Sequence, residues 1–436
     1  MKILVYGLNY QPELIGAGKY TGEMCRHLRQ VGHDVKVVTA PPYYPAWRVS
    51  KPYSSHFYRT EMLDGVSIIR CPLYVPKSQR GLKRILHHLS FALTSAPAVI
   101  AAALRFKPDI VLTVAPSIMT APAAVVAGRL SGAMKWLHVQ DFEIDAAFDL
   151  GFVSGTGFKR AALSAERFIL QRFDVASTIS PKMIELLQSK GVEPARCIEM
   201  REGVDTNAIR PIDKTKSTIR KQFGIPDGAK IALYAGGMGS KQGLEYLVEA
   251  ARALAGPRPD IMFVLCGAGS MKEQLQAWTK DLPNVKLLGV QPDDIYGELL
   301  AAADIHLLPQ KPEVNDLVLP AKVAYMEASG NPVIAMAKQN TQLYAELESV
   351  GILIEPGDIV ALTEALMRLA DDPDLRARLG RKGRDRALEH WDSATTLSRI
   401  EARMLECCSL RKPQLPAEEN SVNYREPFTE TAAQDR

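Results

Sequence analysis

Two glycine-rich turns, each set between an apolar strand and an amphipathic helix, stand in separate halves of this 436-residue chain. The first follows the run Met1-Lys-Ile-Leu-Val-Tyr-Gly-Leu8, with Gly16 and Gly18 in the loop and a helical pattern from Tyr20 to Val31. The second follows Ile231-Ala-Leu-Tyr-Ala235, with Gly236, Gly237 and Gly239, then Lys241, Gly243 and a helical pattern through Leu254. A strand that ends in glycine and feeds a helix lets backbone N–H groups approach an anion closely, and the helix dipole favours negative charge there. Two such units predict two α/β domains that face one phosphate-bearing ligand.

The length is too great for one ordinary core. Short Val/Ile-rich runs at 36–40, 67–70, 110–114, 135–139 and 175–179 read as buried parallel strands, with helical patterns such as 120–131 and 157–173 between them. The second half repeats the plan at 231–235, 262–266, 285–288, 305–308, 333–335 and 351–354. This order predicts two doubly wound, Rossmann-like α/β domains over 1–205 and 229–385, joined by a linker over 206–228. A helix over 386–411 follows, and the Pro/Glu-rich tail 412–436 has too little apolar content to fold.

The six cysteines form no CxxC pair and no alternating Cys/His pattern, so a reduced, cytoplasmic setting is expected and no zinc site. The chain enters directly into a strand, without the pattern of a signal peptide. Charge is unevenly divided: residues 1–210 hold 26 Lys and Arg against 17 Asp and Glu, and the rest hold 27 against 32. Between Asp64 and Asp109 there is no acidic residue, while Arg70, Lys77, Arg80, Lys83, Arg84, Arg105 and Lys107 fall there. The apolar run 91–104 inside this stretch is interrupted by Pro97 and is shorter than the ~20 residues that cross a bilayer. Two readings stand: segment 65–108 rests on an anionic membrane surface, or it holds a core helix with solvated lysines at its ends. Both can hold together. Nucleic acid is not an expected partner, because the cations interleave with aliphatic rather than stacking side chains and the second half is acidic.

Four constellations are candidates for chemistry. Gly16-Ala17-Gly18-Lys19 lies where open α/β sheets bind ligands, although Thr21 breaks the GxGxxG dinucleotide pattern. Lys241, after Gly237 and at the expected start of a helix, and Lys322, at the start of the pattern Lys322 to Ser329, together suit a diphosphate. Asp316 is either a sugar-binding carboxylate or a surface residue. His138, Asp141, Glu143 and Asp145 cluster where the apolar strand at 135–139 emerges; His138 is either a buried structural imidazole or part of the chemistry.

These motifs resemble those of the retaining GT-B glycosyltransferases of family 4. Tyr234-Ala-Gly-Gly-Met-Gly-Ser-Lys-Gln-Gly-Leu-Glu245, His138-Val-Gln-Asp-Phe-Glu-Ile-Asp145 and Leu319-Pro-Ala-Lys322, with Ala328-Ser-Gly330, are similar to the colanic acid branch, which is associated with fucosyl transfer. The resemblance runs from Met1 to about Leu405 and includes Arg201-Glu-Gly-Val-Asp205. It implies an acceptor-binding first domain, a nucleotide-sugar-binding second domain and a closing helix that crosses back to the first. It also implies donor-phosphate contacts at Gly18, Lys241 and Lys322 and a functional acid at Asp141; the glycine turns add Gly16 and Gly237 as donor-phosphate candidates, and the strand end adds His138 beside Asp141 as a catalytic candidate. Two departures stand out. The family's pair of glutamates would fall at Leu317 and Tyr325, which leaves Asp316 or Glu327 to hold the donor sugar or ribose. Gly237 stands where the family has an arginine before the loop lysine.

The function so implied is a metal-independent transferase, with no cofactor, that moves a sugar from a GDP- or UDP-sugar, GDP-fucose among the candidates, to a lipid-linked saccharide. Its expected place is the inner face of the plasma membrane. A nucleotide-sugar 2-epimerase on the same fold, and a nucleotide-sugar-binding scaffold without activity, are the alternatives.

Overall fold

A computed structural model describes residues 1–13, 16–77, 82–115, 117–142, 156–312 and 321–411. The first domain is built from β1 (Lys2–Gly7), α1 (Ala17–Gln30), β2 (Asp34–Thr39), β3 (Arg59–Leu63), β4 (Val66–Arg70), α2 (Leu82–Phe106), β5 (Ile110–Ala115), α3 (Ala121–Ser131), β6 (Met134–Val139), α4 (Thr156–Leu170), β7 (Val175–Thr178), α5 (Pro181–Ser189) and β8 (Cys197–Glu199). Its sheet has the order β3-β4-β2-β1-β5-β6-β7-β8 and is parallel except for β3. β1 shows why its residues read as a continuous apolar run. Ile3 and Val5 enter the core on one face of the sheet, Leu4 and Tyr6 the core on the other.

The second domain holds α6 (Ile219–Gln222), β9 (Lys230–Gly237), α7 (Leu244–Leu254), β10 (Ile261–Ala268), α8 (Lys272–Thr279), β11 (Val285–Leu288), α9 (Asp293–Ala302), β12 (Ile305–Leu308), α10 (Lys322–Ala328), β13 (Val333–Met336), α11 (Gln342–Leu347), β14 (Gly351–Ile354), α12 (Ile359–Asp371) and α13 (Pro373–His390). Its six strands are all parallel, in the order β11-β10-β9-β12-β13-β14. The last helix, α14 (Ser393–Arg411), returns to the first domain, where Ile400 and Met404 join Ile3, Met24 and Leu28.

Several expectations are corrected. The stretch 206–228 is no free linker: Ile209, Ile219 and Ile225 are buried in the core of the second domain. The hairpin β3–β4 has no counterpart in the sequence reading. It closes on Asp64-Gly65, both at positive φ, a two-residue turn matched to strand twist. Pro97 does not break α2, which runs 25 residues and is long and apolar enough to cross a membrane by length and composition. One side of it, including His87, Phe91, Ser95 and Val99, is buried in the first domain, where Ser95 Oγ meets Tyr6 Oη at 2.6 Å. The tail 412–436 lies outside the described residues.

Candidate active site between the domains

In the second domain β9 ends at Gly236-Gly237, and the chain then makes a single 3-10 turn, Ser240–Gln242, before α7 begins beyond Gly243. Lys241 therefore sits exposed in that turn and not at the helix start. Among the described residues, neither Gly237 nor Gly239 has a protein atom within 4 Å of the place a Cβ would take. Protein crowding thus does not require glycine at either position, and space is left in front of the loop.

Lys322 borders this loop. Its Nζ lies 3.7 Å from the place a Cβ of Gly236 would take, 3.5 Å from Tyr234 Oη and 4.6 Å from the Tyr234 ring centre. Tyr234 Oη is itself fixed by donating to the Gly237 carbonyl at 2.5 Å. Burial pushes the Lys322 ammonium down from 10.5 to about 8, and among the described residues no carboxylate pairs with it. A half-buried cation held by an aromatic ring and a phenol is a group arranged for an anion that arrives from outside. Because α10 has only seven residues, the charge on Lys322, rather than the helix, supplies most of this attraction.

The first domain brings Gly16, exposed at φ 66°, to the start of α1. Gly18 has a different reason to be glycine from the one expected. It is buried, and a Cβ there would meet Glu13 Oε2 at 2.6 Å and Glu13 Cβ at 2.9 Å. Glu13, absent from the sequence reading, is buried; its Oε1 accepts from the backbone N–H groups of Tyr43 and Tyr44 and its Oε2 from Asn9 Nδ2. Burial raises its carboxyl above the usual range. Gly18→Ala is expected to cost about 1–3 kcal/mol by overpacking, seen as a lower unfolding midpoint. Gly239→Ala should leave that midpoint within about 0.5 kcal/mol and raise the donor KM instead.

Lys19 closes the first glycine motif, where the sequence reading gave it no role of its own. Its Nζ donates to Tyr325 Oη of α10 at 3.1 Å and lies 5.4 Å from that ring, so the first glycine loop touches the helix that begins with Lys322. Tyr325 holds the place of a family glutamate, and here it receives a cation from the opposite domain.

His138, near the end of β6, is buried, with Nδ1 3.0 Å from Ser177 Oγ; burial lowers it to about 4, so it is neutral near pH 7. It lines a cavity of about 40 Å³ with Tyr20, Thr21, Glu23, Gln140 and Glu202. Burial, and then Glu23, pushes Glu202 up to about 8. Asp141 follows, half-buried, two residues beyond β6. Glu143, Asp145 and Asp316 lie outside the described residues.

Glu327 is placed elsewhere than expected. It is buried, 2.9 Å from Arg386 Nη2, and accepts from Arg386 Nε at 3.1 Å and Trp391 Nε1 at 3.0 Å. Arg386 also meets Glu346 at 2.9 Å, and Glu346 meets Arg201 at 3.2 Å. Its carboxylate is committed to a network that ties α10 to α13 and to the segment joining the domains.

A family profile described as glycosyl transferase 4-like domain matches residues 16–200, and one described as glycosyl transferases group 1 matches 215–386. WcaI of Escherichia coli (strain K12), assigned to colanic acid biosynthesis as a glycosyl transferase, is 39% identical over 376 residues, 84% of this chain and 91% of that protein. This chain is a GT-B glycosyltransferase of family 4. The fold of the transferase agrees with that of sucrose-phosphate synthase from Thermosynechococcus elongatus (TM-score 0.71, 18% identity, 94% of this chain and 99% of that one). It also agrees with Anabaena HepE, solved with UDP-glucose (TM-score 0.66, 17% identity, 93% and 100%).

Proposed function

We propose that the transferase moves a sugar from a GDP- or UDP-sugar, GDP-fucose among the candidates, to a lipid-linked saccharide in cell-surface polysaccharide synthesis. We place this reaction at the cytoplasmic face of the membrane. The observation that carries the reading is the half-buried Lys322 ammonium, without a carboxylate partner among the described residues, beside the open face of Gly237 and Gly239. The assignment of WcaI to colanic acid biosynthesis supports a place in cell-surface polysaccharide synthesis, and the UDP-glucose complex of HepE supports a nucleotide-sugar donor.

The leaving group is a nucleoside diphosphate, so charge grows on its β-phosphate as the glycosidic bond breaks. Lys322 and Lys241 neutralise that charge, and neither needs to reorganise at the moment of reaction. No metal or cofactor is part of this proposal. The family relation implies attack on the same face of the sugar, with the acceptor hydroxyl proton passing to the departing phosphate.

The lowered Lys322 sets a pH dependence with a definite sign. Diphosphate binding needs the ammonium form, which dominates below about pH 8 and is lost above it. Donor affinity should therefore fall by up to about tenfold per pH unit above that point, while this residue's contribution to the stability of the unliganded protein rises toward pH 10.5. Calorimetric titration of the nucleotide between pH 7 and 9.5 reads both the affinity and the proton taken up. For the reaction itself, incubation with radiolabelled nucleotide sugars and a bacterial lipid extract should label a chloroform-soluble product. Release of free sugar alone, or epimerised donor, would overturn the transfer.

A further inference from the structure

The outer faces of two packed helices in the first domain form one apolar surface. On α2, Leu82, Leu86, Leu89, Leu93 and Leu104 are 40–69% exposed, and exposed Pro97 continues their line. With Pro97 included, their spacings of four, three, four, four and seven residues put them on one side of the helix. On α3 and the turn before it, Met119, Val126 and Leu130 are 37–57% exposed, with Pro122 between them. Tyr58 Oη donates to the Thr94 carbonyl of α2 at 2.7 Å, which sets Phe57 and Tyr58, both exposed, beside the same helix.

Charge frames this surface with one sign. Lys83 stands at one end of α2, Arg105 and Lys107 at the other, and Arg129 near the end of α3; all four are exposed and have no acidic partner among the described residues. From Gly65 to Gln140 the sequence holds nine Lys and Arg and one acidic residue, Asp109, which accepts from the Lys2 backbone N–H at 2.8 Å. A second copy is a poor occupant. Parallel or antiparallel pairing of α2 with itself sets cations against cations, with no carboxylate to answer them.

We propose that this face, made by α2, α3 and the Phe57-Tyr58 corner, docks on a bilayer rich in anionic lipid, with α2 lying along the surface. The leucines enter the acyl boundary, and Lys83, Arg105, Lys107 and Arg129 meet the headgroup phosphates. The proposal rests on the lipid-linked acceptor assigned above and deepens it. It names which side of the protein meets the membrane, and it adds α3 and the aromatic corner to the segment read from sequence.

Sedimentation of the full-length protein with vesicles tests it. The protein should pellet with phosphatidylglycerol and phosphatidylethanolamine vesicles, pellet weakly with phosphatidylcholine alone, and be released by salt. Leu89→Glu with Leu93→Glu should abolish binding, and Lys83→Ala with Lys107→Ala should weaken it about thirtyfold at low salt. All four positions are exposed, so both variants should keep the wild-type unfolding midpoint and the nucleotide-induced shift. Wild type that does not pellet, variants that bind as wild type does, or a dimer by light scattering that Leu89→Glu with Leu93→Glu disrupts would each overturn the proposal. A missing nucleotide shift would instead count against the donor assignment and leave the vesicle result to stand by itself.

Discussion

Lys322→Ala is expected to lower kcat/KM for the nucleotide sugar by about 10²- to 10³-fold, the scale of losing one preorganised group from a developing anion. The variant removes a side chain that meets Tyr234 and the Gly236 turn and has no carboxylate partner among the described residues, so stability should change little. Burying that ammonium is itself unfavourable, and the unliganded alanine variant should be as stable as wild type or slightly more so. Lys322→Arg should not restore full activity, because a planar, delocalised fork does not reproduce the compact point charge of an ammonium. Steady-state kinetics beside thermal unfolding separates these outcomes. A large loss of stability with unchanged kcat/KM would assign Lys322 a structural role.

Glu327→Ala should do the reverse. Removing this carboxylate leaves the half-buried Arg386 with Glu346 alone as its charged partner among the described residues and takes the acceptor from the buried Trp391 Nε1, a loss of about 3–5 kcal/mol. For domains of this size that lowers the unfolding midpoint by roughly 6–20 °C. Burial also raises Glu327 to about 7, so its ion pair is fully ionised only above neutral pH, and the group's linked contribution to stability is greatest below about pH 4.5 and is lost as pH rises through about 7. Donor KM measured well below the new midpoint should remain near wild type. A raised donor KM with an unchanged midpoint would return Glu327 to the donor sugar.

Much of the architecture was legible because parallel strands buried on both faces leave continuous apolar runs. Ile231 to Ala235 could be read from sequence for that reason, and β9 differs from the reading only at its ends. The hairpin β3–β4 was not legible, since β3 is an exposed edge strand with a mixed sequence, Arg59-Thr-Glu-Met-Leu63. Glycine and lysine marked the two candidate loops, yet the sequence could not distinguish an open glycine from a crowded one. Gly239 faces empty space, whereas Gly18 makes room for Glu13. Nor could it show that Glu327 turns toward Arg386, or that Lys19 crosses to Tyr325, because both contacts join segments far apart in the chain. The Asp64-Gly65 pair was the one local signal that would have found the hairpin.

The most direct test of the central claim, that the loop 236–241 and Lys322 hold a nucleoside diphosphate, is a thermal-shift screen against UDP, GDP, dTDP and ADP and their sugars. A ligand that binds only the folded state at about 100 times its Kd adds roughly 2.7 kcal/mol. One base should raise the midpoint clearly, the sugar form of that base should do so as well, and both shifts should vanish in Lys322→Ala and shrink in Lys241→Ala. A full shift retained in Lys322→Ala, or no shift with any nucleotide, would contradict the claim.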